Sequence, residues 1–345
     1  MVLKVLSPLR RSVRALRRNF SPRALILLYH RVGDPGCDPW ELAVAPQHFD
    51  EHLAVLRAQP RPIHFRELAN ATRNGDVPPG ALVVTFDDGY ADNLLNAKPL
   101  LEKHDVPATV FVTTGGLDSA EEFWWDELER IVLSEGPVPE RLQLRIGGQI
   151  HSWELGGDAN HNALPGQHRM WKAWQKEAPT ARHGMYRAIW QLLRPLPDGE
   201  RNDVREQLRA WAVAAPPTRS THRALSRSEV AQLAASGLVD VGSHTVSHPQ
   251  LSLLPIESQR TEIVRSQHDL QSILGRPVTS FAYPYGDYAD ETVGVLRHAG
   301  FQAAGTTGRG CVTARSDPYR FPRLHVRDVD GETFARTLRE WLQSE

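Results

Sequence analysis

The sequence predicts an α/β fold, a distorted (β/α)7-type barrel with a tryptophan-rich α+β insertion. Three observations support this prediction: short apolar runs recur along the chain, patterns of helical period separate most of them, and one long segment interrupts the alternation. Strands that are buried on both faces read as continuous apolar runs, as in a parallel sheet covered by helices. About seven such runs suit a barrel of this type.

Each strand run is short and is bounded by polar residues or by a helical pattern. The runs lie at 25–29, 81–86, 109–112, 238–241, 278–283, 301–304 and 320–326. The helical patterns lie at 46–58, 91–104, 226–236, 256–274 and 288–299, and a closing helix is expected at 332–342. These elements assign the barrel to residues 24–117 and 226–345.

Residues 118–225 break this alternation and hold seven of the nine tryptophans. A hairpin is predicted at 142–155 around Gly147–Gly148, and helices are predicted from about 165 to 213 with a break at 195–199. We interpret this segment as an insertion that forms a cap or a side lobe. Most of its tryptophans are expected to form the core of that lobe, and stacking on sugar rings is the alternative.

The charges of the chain nearly cancel, because 40 lysines and arginines face 41 aspartates and glutamates, for a net charge of −1. This balance excludes a whole-protein basic surface for nucleic acid. The two cysteines, Cys37 and Cys311, exclude a disulfide framework and a cysteine-based zinc site. No apolar run approaches the roughly 18 residues of a membrane span.

The segment 1–23 is basic and amphipathic, and Val13, Leu16 and Phe20 share one face of the helix that it predicts. Contact with an anionic membrane surface is one interpretation, and a solvated or core-docked helix is the other. The segment lacks the uninterrupted apolar region of an export signal. We therefore expect a cytoplasmic location, peripheral at the inner face of the membrane if the helix binds lipid.

The clearest chemical signal is the pair Asp87–Asp88, which follows an apolar run and precedes Gly89. In a barrel, polar residues at the carboxyl end of a strand face the mouth of the active site. Adjacent carboxylates repel each other unless a cation or a shared proton intervenes, so the pair indicates a metal or acid–base site. A helix cap followed by a turn is the alternative, since Asp-Asp-Gly is a common turn composition.

Two further motifs also follow strand runs. His244 and His248 lie four residues apart, so one helical turn would place both imidazoles on the same side. Two histidines and a carboxylate are a common ligand set for a catalytic divalent metal. The turn FAYPYG at 281–286 contains Pro284 and Gly286, which fix the backbone and can aim a peptide N–H at an oxyanion.

Together these motifs resemble the polysaccharide deacetylases of carbohydrate esterase family 4, the NodB-homology domain. The matching residues are TFDDG at 85–89, HTVSH at 244–248 and FAYPYG at 281–286, in the order of the family, and the resemblance covers 24–117 and 226–330. It implies a hydrolase that removes N-acetyl groups from a sugar with a divalent metal ion. Zinc is the expected ion, with cobalt, nickel or manganese as alternatives.

The resemblance also implies a role for individual residues. Asp88, His244 and His248 would bind the metal, and Asp87 would be the general base that takes a proton from the attacking water. The backbone N–H of Tyr285 would stabilise the oxyanion together with the metal.

The third motif is implied to contact the substrate through Tyr283, Pro284 and Tyr285, and it departs from the family at Ala282. An arginine usually stands there and holds the carboxylate of the base. Arg323, on the last predicted strand, is the expected substitute. The family's Asp-x-x-Asp-Trp motif is not apparent downstream.

The catalytic acid of the family is a histidine at the end of an apolar strand, and this sequence offers two. LILLYH at 25–30 ends in His30, and Arg-Leu-His at 323–325 ends in His325. The first has the better strand and, with Tyr-His-Arg-Val at 29–32, resembles the circularly permuted branch that deacetylates poly-N-acetylglucosamine. We therefore expect His30 to be the acid and His325 to be a strand residue with a structural hydrogen bond.

The sequence thus predicts a metal-dependent N-deacetylase of a polysaccharide, an oligosaccharide or a lipid-linked glycan, with no nucleic acid partner. The alternative from another class is a carbohydrate-binding protein on a decayed deacetylase scaffold. Ala282 and the missing acidic motif favour that alternative, whereas the pairs Asp87–Asp88 and His244–His248 oppose it. An O-acetyl esterase would use similar chemistry.

Overall fold

The computed structural model describes residues 23–59, 62–133, 135–160, 171–212 and 218–343, which form two compact units. The barrel unit comprises the residues up to Asp34, Leu42–Asp118 and the residues from Leu225 onwards. The insertion unit comprises Pro35–Glu41 and Ser119–Ala224. The basic amphipathic segment predicted at 1–23 lies outside the described residues, apart from Arg23.

The strands and helices follow one another in the alternation that the sequence predicts. In chain order the strands are β1 (Leu25–Tyr29), β2 (Arg31–Val32), β3 (Ala43–Val44), β4 (Leu82–Phe86), β5 (Ala108–Val112), β6 (Arg141–Ile146), β7 (Gln149–Glu154), β8 (Val239–Ser243), β9 (Ser280–Ala282), β10 (Ala303–Gly305) and β11 (Leu324–His325). The α-helices are α1 (Pro46–Arg57), α2 (Phe65–Asn74), α3 (Lys98–His104), α4 (Trp124–Val132), α5 (Ala181–Leu193), α6 (Asp198–Trp211), α7 (Arg227–Ala234), α8 (Ile256–Leu274), α9 (Asp290–His298) and α10 (Gly331–Gln343).

Seven parallel strands form the sheet of the barrel unit, in the order β10, β9, β8, β5, β4, β1, β11. Successive barrel strands along the chain are neighbours in the sheet, and β11 returns to pair with β1. Among the described residues, one bridge between Gly305 and Phe321 joins the two edges of the sheet. The predicted (β/α)7-type barrel is therefore confirmed, and its distortion lies at this seam between β10 and β11.

The strands are held by burial on both faces. Every residue of β1, β4, β5 and β8 is buried, which explains why these strands read as apolar runs in the sequence. Alternate residues point to opposite faces. Leu27 and Val84 belong to the cluster that packs under the helices, whereas Ile26, Val83 and Phe111 belong to a second, inner cluster.

The helices of the barrel begin and end where their sequence dictates. Helix α7 opens with a capping box, in which Ser226 and Glu229 each accept from the other's backbone N–H. Helix α8 ends at Gly275, which has a left-handed φ of 65°. None of the described helices has both the length and the apolar composition that crossing a membrane requires.

Some elements differ from the prediction. Helix α2 and the short pair β2–β3 are not predicted, because both are brief and the second half of α2 contains Asn70, Thr72 and Asn74, which favour turns in isolation. The helix predicted at 91–104 consists of a π-helical turn at Asn93–Ala97 followed by α3. Helix α2 forms because Phe65 and Leu68 bury themselves in the inner cluster, so packing decides where local propensity does not.

The insertion unit contains the hairpin β6–β7 and helices α4, α5 and α6. The helix predicted to start near 165 begins at Ala181 in the described residues, because 171–180 form turns and irregular segments. Trp124, Trp125 and Trp171 are buried, whereas Trp174 is 55% exposed. These three buried rings support a core role, as the sequence analysis favours.

Gly242 on β8 has no space for a side chain. A Cβ atom there would lie 2.4 Å from Cδ1 of Phe111 and 3.0 Å from the carbonyl oxygen of Ser280. We expect Gly242→Ala to lower the free energy of unfolding by about 1–3 kcal/mol, because both neighbours must shift. Urea unfolding measures this change.

The matched control for this prediction is Gly294→Ala in α9, where nothing lies within 4 Å of the added atom. Helix propensity predicts that this variant is more stable than the native chain by up to about 1 kcal/mol. An unfolding midpoint of Gly242→Ala equal to that of the native chain would contradict the packing around β8.

Candidate active site

Three loops that follow barrel strands carry the predicted site residues. Asp87–Asp88 follow β4, the segment 244–248 follows β8, and the turn 283–286 follows β9. Because these strands are parallel, their carboxyl ends lie at one end of the barrel. The fold therefore gathers three sequence motifs at a single mouth.

The first loop turns sharply between its two carboxylates. The Asp87 N–H donates to the carbonyl oxygen of Tyr29 at 3.0 Å, and the chain then reverses through left-handed φ angles of 72° at Asp88 and 80° at Gly89. A Cβ atom at Gly89 would lie 3.0 Å from Cγ1 and 3.2 Å from Cα of Val112. Glycine is therefore required at this position, because it adopts the left-handed conformation and has no Cβ atom to clash with Val112. The turn directs the two carboxylates to different partners.

Asp88, His244 and His248 form a buried cluster whose ligand atoms lie within 4.8 Å of one another. Oδ1 of Asp88 lies 3.6 Å from Nε2 of His244 and 3.4 Å from Nε2 of His248. These separations exceed an ordinary hydrogen bond. They match the distance of about 3.4 Å between two atoms that each lie about 2.1 Å from a tetrahedral ion. A divalent cation such as zinc therefore fits this donor set, and the three residues are the ones that would hold it.

The surroundings of His244 prepare its Nε2 atom for a cation. Nδ1 lies 2.8 Å from the carbonyl oxygen of Ala282, so this nitrogen carries the proton and donates it to that oxygen. Burial lowers the pKa of His244, although the nearby Asp87 carboxylate opposes the shift. The result is a neutral, oriented imidazole, which is the form that binds metal.

The loop that carries the two histidines is not the helical turn that their spacing predicts. Thr245 and His248 have left-handed φ angles of 67° and 55°. Glu262 of α8 holds this loop, because its carboxylate accepts from the N–H groups of Val246 at 2.9 Å and Ser247 at 2.8 Å. Sequence reasoning misses Glu262, since a single acid on a helix reads as an ordinary solvated charge.

Backbone strain is concentrated in these loops. Of the seven described residues other than glycine with positive φ, four are Asp88, Thr245, His248 and Tyr285. A side chain in such a conformation costs on the order of 1–3 kcal/mol and persists where the surrounding structure fixes it, as at ligand-binding sites. The strained residues therefore lie in the same three loops as the sequence motifs.

Arg323 binds Asp87 through a bidentate ion pair. Nη1 donates to Oδ1 and Nη2 donates to Oδ2, both at 2.7 Å, and both side chains are buried. A Cβ atom at Gly305 would lie 2.7 Å from Nε of Arg323, so glycine leaves room for the guanidinium. Burial alone raises the pKa of Asp87, but Arg323 outweighs it and holds the pKa below its usual range. Arg323 thus makes the contact that the departure at Ala282 leaves open.

The third motif brings a backbone segment and one ring to the site. Tyr285 has a φ of 59°, and its ring centroid lies 4.5 Å from that of His248. The Tyr283 side chain is fully buried and its hydroxyl donates to the carbonyl oxygen of Tyr319 at 2.9 Å, while Pro284 is also buried. Of the three residues predicted to contact substrate, Tyr285 therefore lies against the metal cluster, whereas the Tyr283 side chain packs into the core.

The two candidate acids lie side by side. The rings of His30 and His325 are nearly perpendicular, with centroids 5.4 Å apart. Burial, and next the charge of His325, lower the pKa of His30 to about 3, so this imidazole is neutral in the resting site. Among the described residues, none makes a hydrogen bond to its buried Nδ1 atom.

A polar segment that follows the first motif anchors the backbone at His30. The side-chain amide of Asn93 donates to the carbonyl oxygen of His30 at 2.9 Å. Asp92 accepts from Nε of Arg31 at 3.0 Å and from the N–H of Val32 at 3.2 Å. These contacts join the end of β1 to the loop of the two carboxylates. Sequence reasoning misses these contacts, although the polar pair Asp92–Asn93 lies only three residues beyond Gly89.

A family model described as polysaccharide deacetylase matches residues 74–136 and 207–304. Over these two segments the chain is similar to the polysaccharide deacetylases. The matched segments include Asp87, Asp88, His244, His248 and Tyr285, which come from all three loops of the mouth.

The curated relatives of the chain align over part of its length. The poly-beta-1,6-N-acetyl-D-glucosamine N-deacetylase of Staphylococcus epidermidis is 28% identical over 125 residues, which are 34% of this chain and 42% of that protein. A Bacillus subtilis protein that also carries a polysaccharide deacetylase name is 26% identical over 111 residues, 32% of this chain and 39% of that one. The aligned region thus spans about two fifths of each relative.

Solved deacetylase structures share the fold over most of the chain. The deacetylase PplD of Streptococcus pyogenes, in complex with acetate, has a TM-score of 0.56 and 18% identity, covering 93% of this chain and 99% of that one. IcaB from Ammonifex degensii has a TM-score of 0.56 and 19% identity, covering 94% and 99%. At these identities the likeness establishes the fold alone. The candidate site is supported by the distances and contacts of its own residues.

Removal of one ligand should empty the metal centre. We expect Asp88→Ala to lose most of its divalent ion after dialysis, because two neutral imidazoles keep too few donors and lose the compensating charge. His325→Ala is the control and should keep its ion. Elemental analysis of both proteins after loading with zinc measures this, and full occupancy of Asp88→Ala would refute the ligand set.

Proposed function

We propose that this chain is a metal-dependent N-deacetylase that hydrolyses the acetamido group of an N-acetylated sugar. The observation that carries the proposal is the division of the two adjacent carboxylates. Asp88 faces His244 and His248, whereas Asp87 is held by Arg323. One carboxylate is thereby available to a cation and the other to a proton.

Hydrolysis forms a bond from water oxygen to the acetyl carbon and breaks the bond from that carbon to nitrogen. A divalent cation held by the cluster supplies Lewis acidity at the carbonyl and lowers the pKa of water. Asp87 accepts a proton from the attacking water while Arg323 fixes the direction of its carboxylate. The backbone N–H of Tyr285 donates to the developing oxyanion. The products are acetate and the free amine of the sugar.

His30 is the proposed donor of the proton that the leaving amine needs. Its pKa of about 3 keeps it neutral before reaction. Negative charge that develops on the substrate raises this pKa, because an opposite charge nearby favours the protonated imidazole. His30 therefore takes up a proton equivalent to the one that Asp87 removes from water and donates it to the amine nitrogen as the carbon–nitrogen bond breaks, which restores both groups. The contact of its backbone with Asn93 keeps the ring at the end of β1.

The proposed substrate class is an N-acetylated glycan. The name of the Staphylococcus epidermidis relative, a poly-beta-1,6-N-acetyl-D-glucosamine N-deacetylase, supports an N-acetylglucosamine unit and an amide bond. A polymer, an oligosaccharide and a lipid-linked glycan all present that group. The residues of the mouth act on the acetamido group itself, so they are compatible with each of these.

The non-catalytic alternative loses its main support. It depended on Ala282, which stands where the family keeps an arginine for the base. In the structure the guanidinium of Arg323, which lies 236 positions later in the chain, binds the Asp87 carboxylate. The carbonyl of Ala282 meanwhile orients His244. The departure in sequence is thus consistent with a working base.

The cytoplasmic location and the contact with an anionic membrane surface remain predictions from the sequence. Both depend on the basic segment 1–23, most of which lies outside the described residues. We propose both the location and the membrane contact on the basis of that segment. The chemistry at the mouth of the barrel depends on neither.

The direct test is acetate release from β-1,6- and β-1,4-linked N-acetylglucosamine oligosaccharides. We expect release by the zinc-loaded chain, loss with a chelator and recovery when zinc is restored, because the cation supplies the Lewis acid. Asp87→Asn, which lacks the proposed general base, is the negative control. Release that persists in chelator would contradict metal dependence, and faster release from an O-acetylated sugar would favour the esterase.

His30→Ala and His325→Ala separate the two candidate acids. We expect His30→Ala to lower kcat by about 10²–10⁴-fold, the usual worth of a general acid, with metal content unchanged. His325→Ala should retain most of the turnover. Comparable losses in the two variants, at equal zinc content, would remove the special role of His30.

A further inference from the structure

One face of helix α8 carries a row of polar side chains in the barrel unit. Glu262, Ser266 and Asp269 are spaced by four and then three residues, so they share one face of the helix. Ser266 is fully buried, and the two carboxylates are half-buried. Polar groups that are withdrawn from water in this way need hydrogen-bond partners. The structure supplies those partners at the ends of two neighbouring strands.

Two residues of this row hold the strand ends that flank the metal cluster. The hydroxyl of Ser266 lies 2.6 Å from that of Ser243, which is the last residue of β8 and directly precedes His244. Asp269 accepts from Oγ1 of Thr114 at 3.3 Å, in the loop that follows β5. Helix α8 is therefore bonded to both loops at the level where the predicted ligands begin.

Glu262 binds the middle of the loop that carries the two histidines. Its Oε2 accepts from the N–H groups of Val246 at 2.9 Å and Ser247 at 2.8 Å, and its Oε1 accepts from the Ser247 hydroxyl at 2.8 Å. Hydrogen bonds to an ionised carboxylate are roughly twice as strong as those between neutral groups. Since Val246 and Ser247 lie between His244 and His248, one carboxylate fixes the chain that joins two predicted ligands.

The conformation that Glu262 holds is a strained one. Thr245 and His248 have φ angles of 67° and 55°, which side chains other than glycine rarely adopt. Without a restraint the loop would populate other conformations, in which His248 no longer faces Asp88. The apparent affinity of a site falls in proportion to the fraction of molecules that are in the binding conformation. The restraint on this loop therefore bears directly on metal affinity.

The loop after β5 joins the same arrangement through its backbone. The N–H of Thr113 donates to the carbonyl oxygen of Asp88 at 3.1 Å, and the N–H of Gly115 donates to that of Val246 at 2.8 Å. A Cβ atom at Gly115 would lie 2.6 Å from the same Val246 oxygen, so this close approach requires glycine. The two loops that carry the metal ligands are thus tied to one another, and α8 holds them from the outer side.

We infer that Glu262 is a positioning residue for the metal centre, and that it sets the affinity for the divalent cation by holding the loop in its binding conformation. The inference rests on the metal dependence of the proposed function. Glu262 acts through the backbone of Val246 and Ser247 and takes no part in proton transfer. When it is removed, the loop relaxes, and the cation must restore the strained conformation as it binds.

The first arm of the test measures zinc affinity of the full chain, stripped of metal, in competition with a fluorescent chelator. We expect Glu262→Gln to bind zinc about 10–100-fold more weakly, the usual effect of losing a group that orients metal ligands. Glu257→Gln is the matched control, because Glu257 is an exposed acid of the same helix that pairs with Arg260 at 3.5 Å. Its zinc affinity should equal that of the native chain.

A second variant separates the reach of the side chain from its charge. Glu262→Asp keeps the carboxylate but shortens the side chain by one methylene group, so it should also weaken zinc binding, and it carries the test if Glu262→Gln does not fold. Urea unfolding in chelator identifies the variants that are folded. Equal zinc affinity in the native chain and in the folded variants would refute the inference, because the contact would then serve stability alone.

The second arm measures acetate release as a function of zinc concentration. In Glu262→Gln we expect half-maximal release to need about 10–100-fold more zinc, with kcat at saturating zinc close to the native value, because the bound cation restores the loop. A kcat that stays low at saturating zinc would refute a positioning role.

The outcomes separate this inference from the proposed function. If the native chain binds zinc but releases acetate from no sugar, the deacetylase function fails, and the zinc titration still decides the role of Glu262. If acetate is released and the Glu262 variants bind zinc as the native chain does, the positioning role fails and the function stands. A native chain that binds no zinc would refute both.

Discussion

The ion pair between Arg323 and Asp87 is the constraint on which the site depends. Two carboxylates on successive residues at a buried strand end would repel each other and share a proton, and one would then be lost to catalysis. The guanidinium donates to both oxygens of Asp87, while the sharp turn at Asp88 and Gly89 presents the second carboxylate to the two histidines. Arg323 is the cation beside Asp87, and the divalent ion proposed for the cluster would be the cation beside Asp88, which would let both carboxylates stay ionised. The rest of the mouth serves this division, because Gly305 leaves room for the arginine and the Ala282 carbonyl fixes a histidine.

The barrel was predictable because its strands are buried on both faces, so that burial appears directly as apolar runs such as Leu25–Tyr29 and Leu82–Phe86. The seven strands lie close to their predicted positions. Helix α2 was missed because its stability comes from packing of Phe65 and Leu68 into the inner cluster, which no local pattern records. The predicted helical turn at 244–248 is wrong for a related reason. A left-handed Thr245 depends on hydrogen bonds from the loop to Glu262, and a four-residue spacing cannot distinguish that coil from a helix.

The site was predictable to the extent that its chemistry is carried by short motifs. The motifs that contain Asp87–Asp88 and His244–His248 can each be recognised within five residues. The parallel sheet then brings the ends of their strands together. The supporting contacts join residues far apart in the chain, and spacing carries little information about them. The pair Asp87–Arg323 spans 236 positions, and it was anticipated only because Ala282 left a charge without its usual partner. Asp92 and Asn93 show the other limit, since their partners at residues 30–32 lie 60 or more positions earlier in the chain and nothing in the spacing indicates that they pair.

The seam between β10 and β11 has a consequence for how this catalyst can be tuned. Elsewhere in the sheet, the backbone ladder fixes the relative height of neighbouring strands, but β11 is laddered on one flank and touches the other through the bridge at Phe321. Arg323, directly before β11, is held by single hydrogen bonds to the β10–β11 connection, because its N–H donates to the carbonyl oxygen of Gly308 at 3.0 Å and its Nε donates to that of Thr306 at 2.9 Å. Changes in the β10–β11 connection would therefore shift Arg323, the partner of Asp87, without touching the predicted metal ligands.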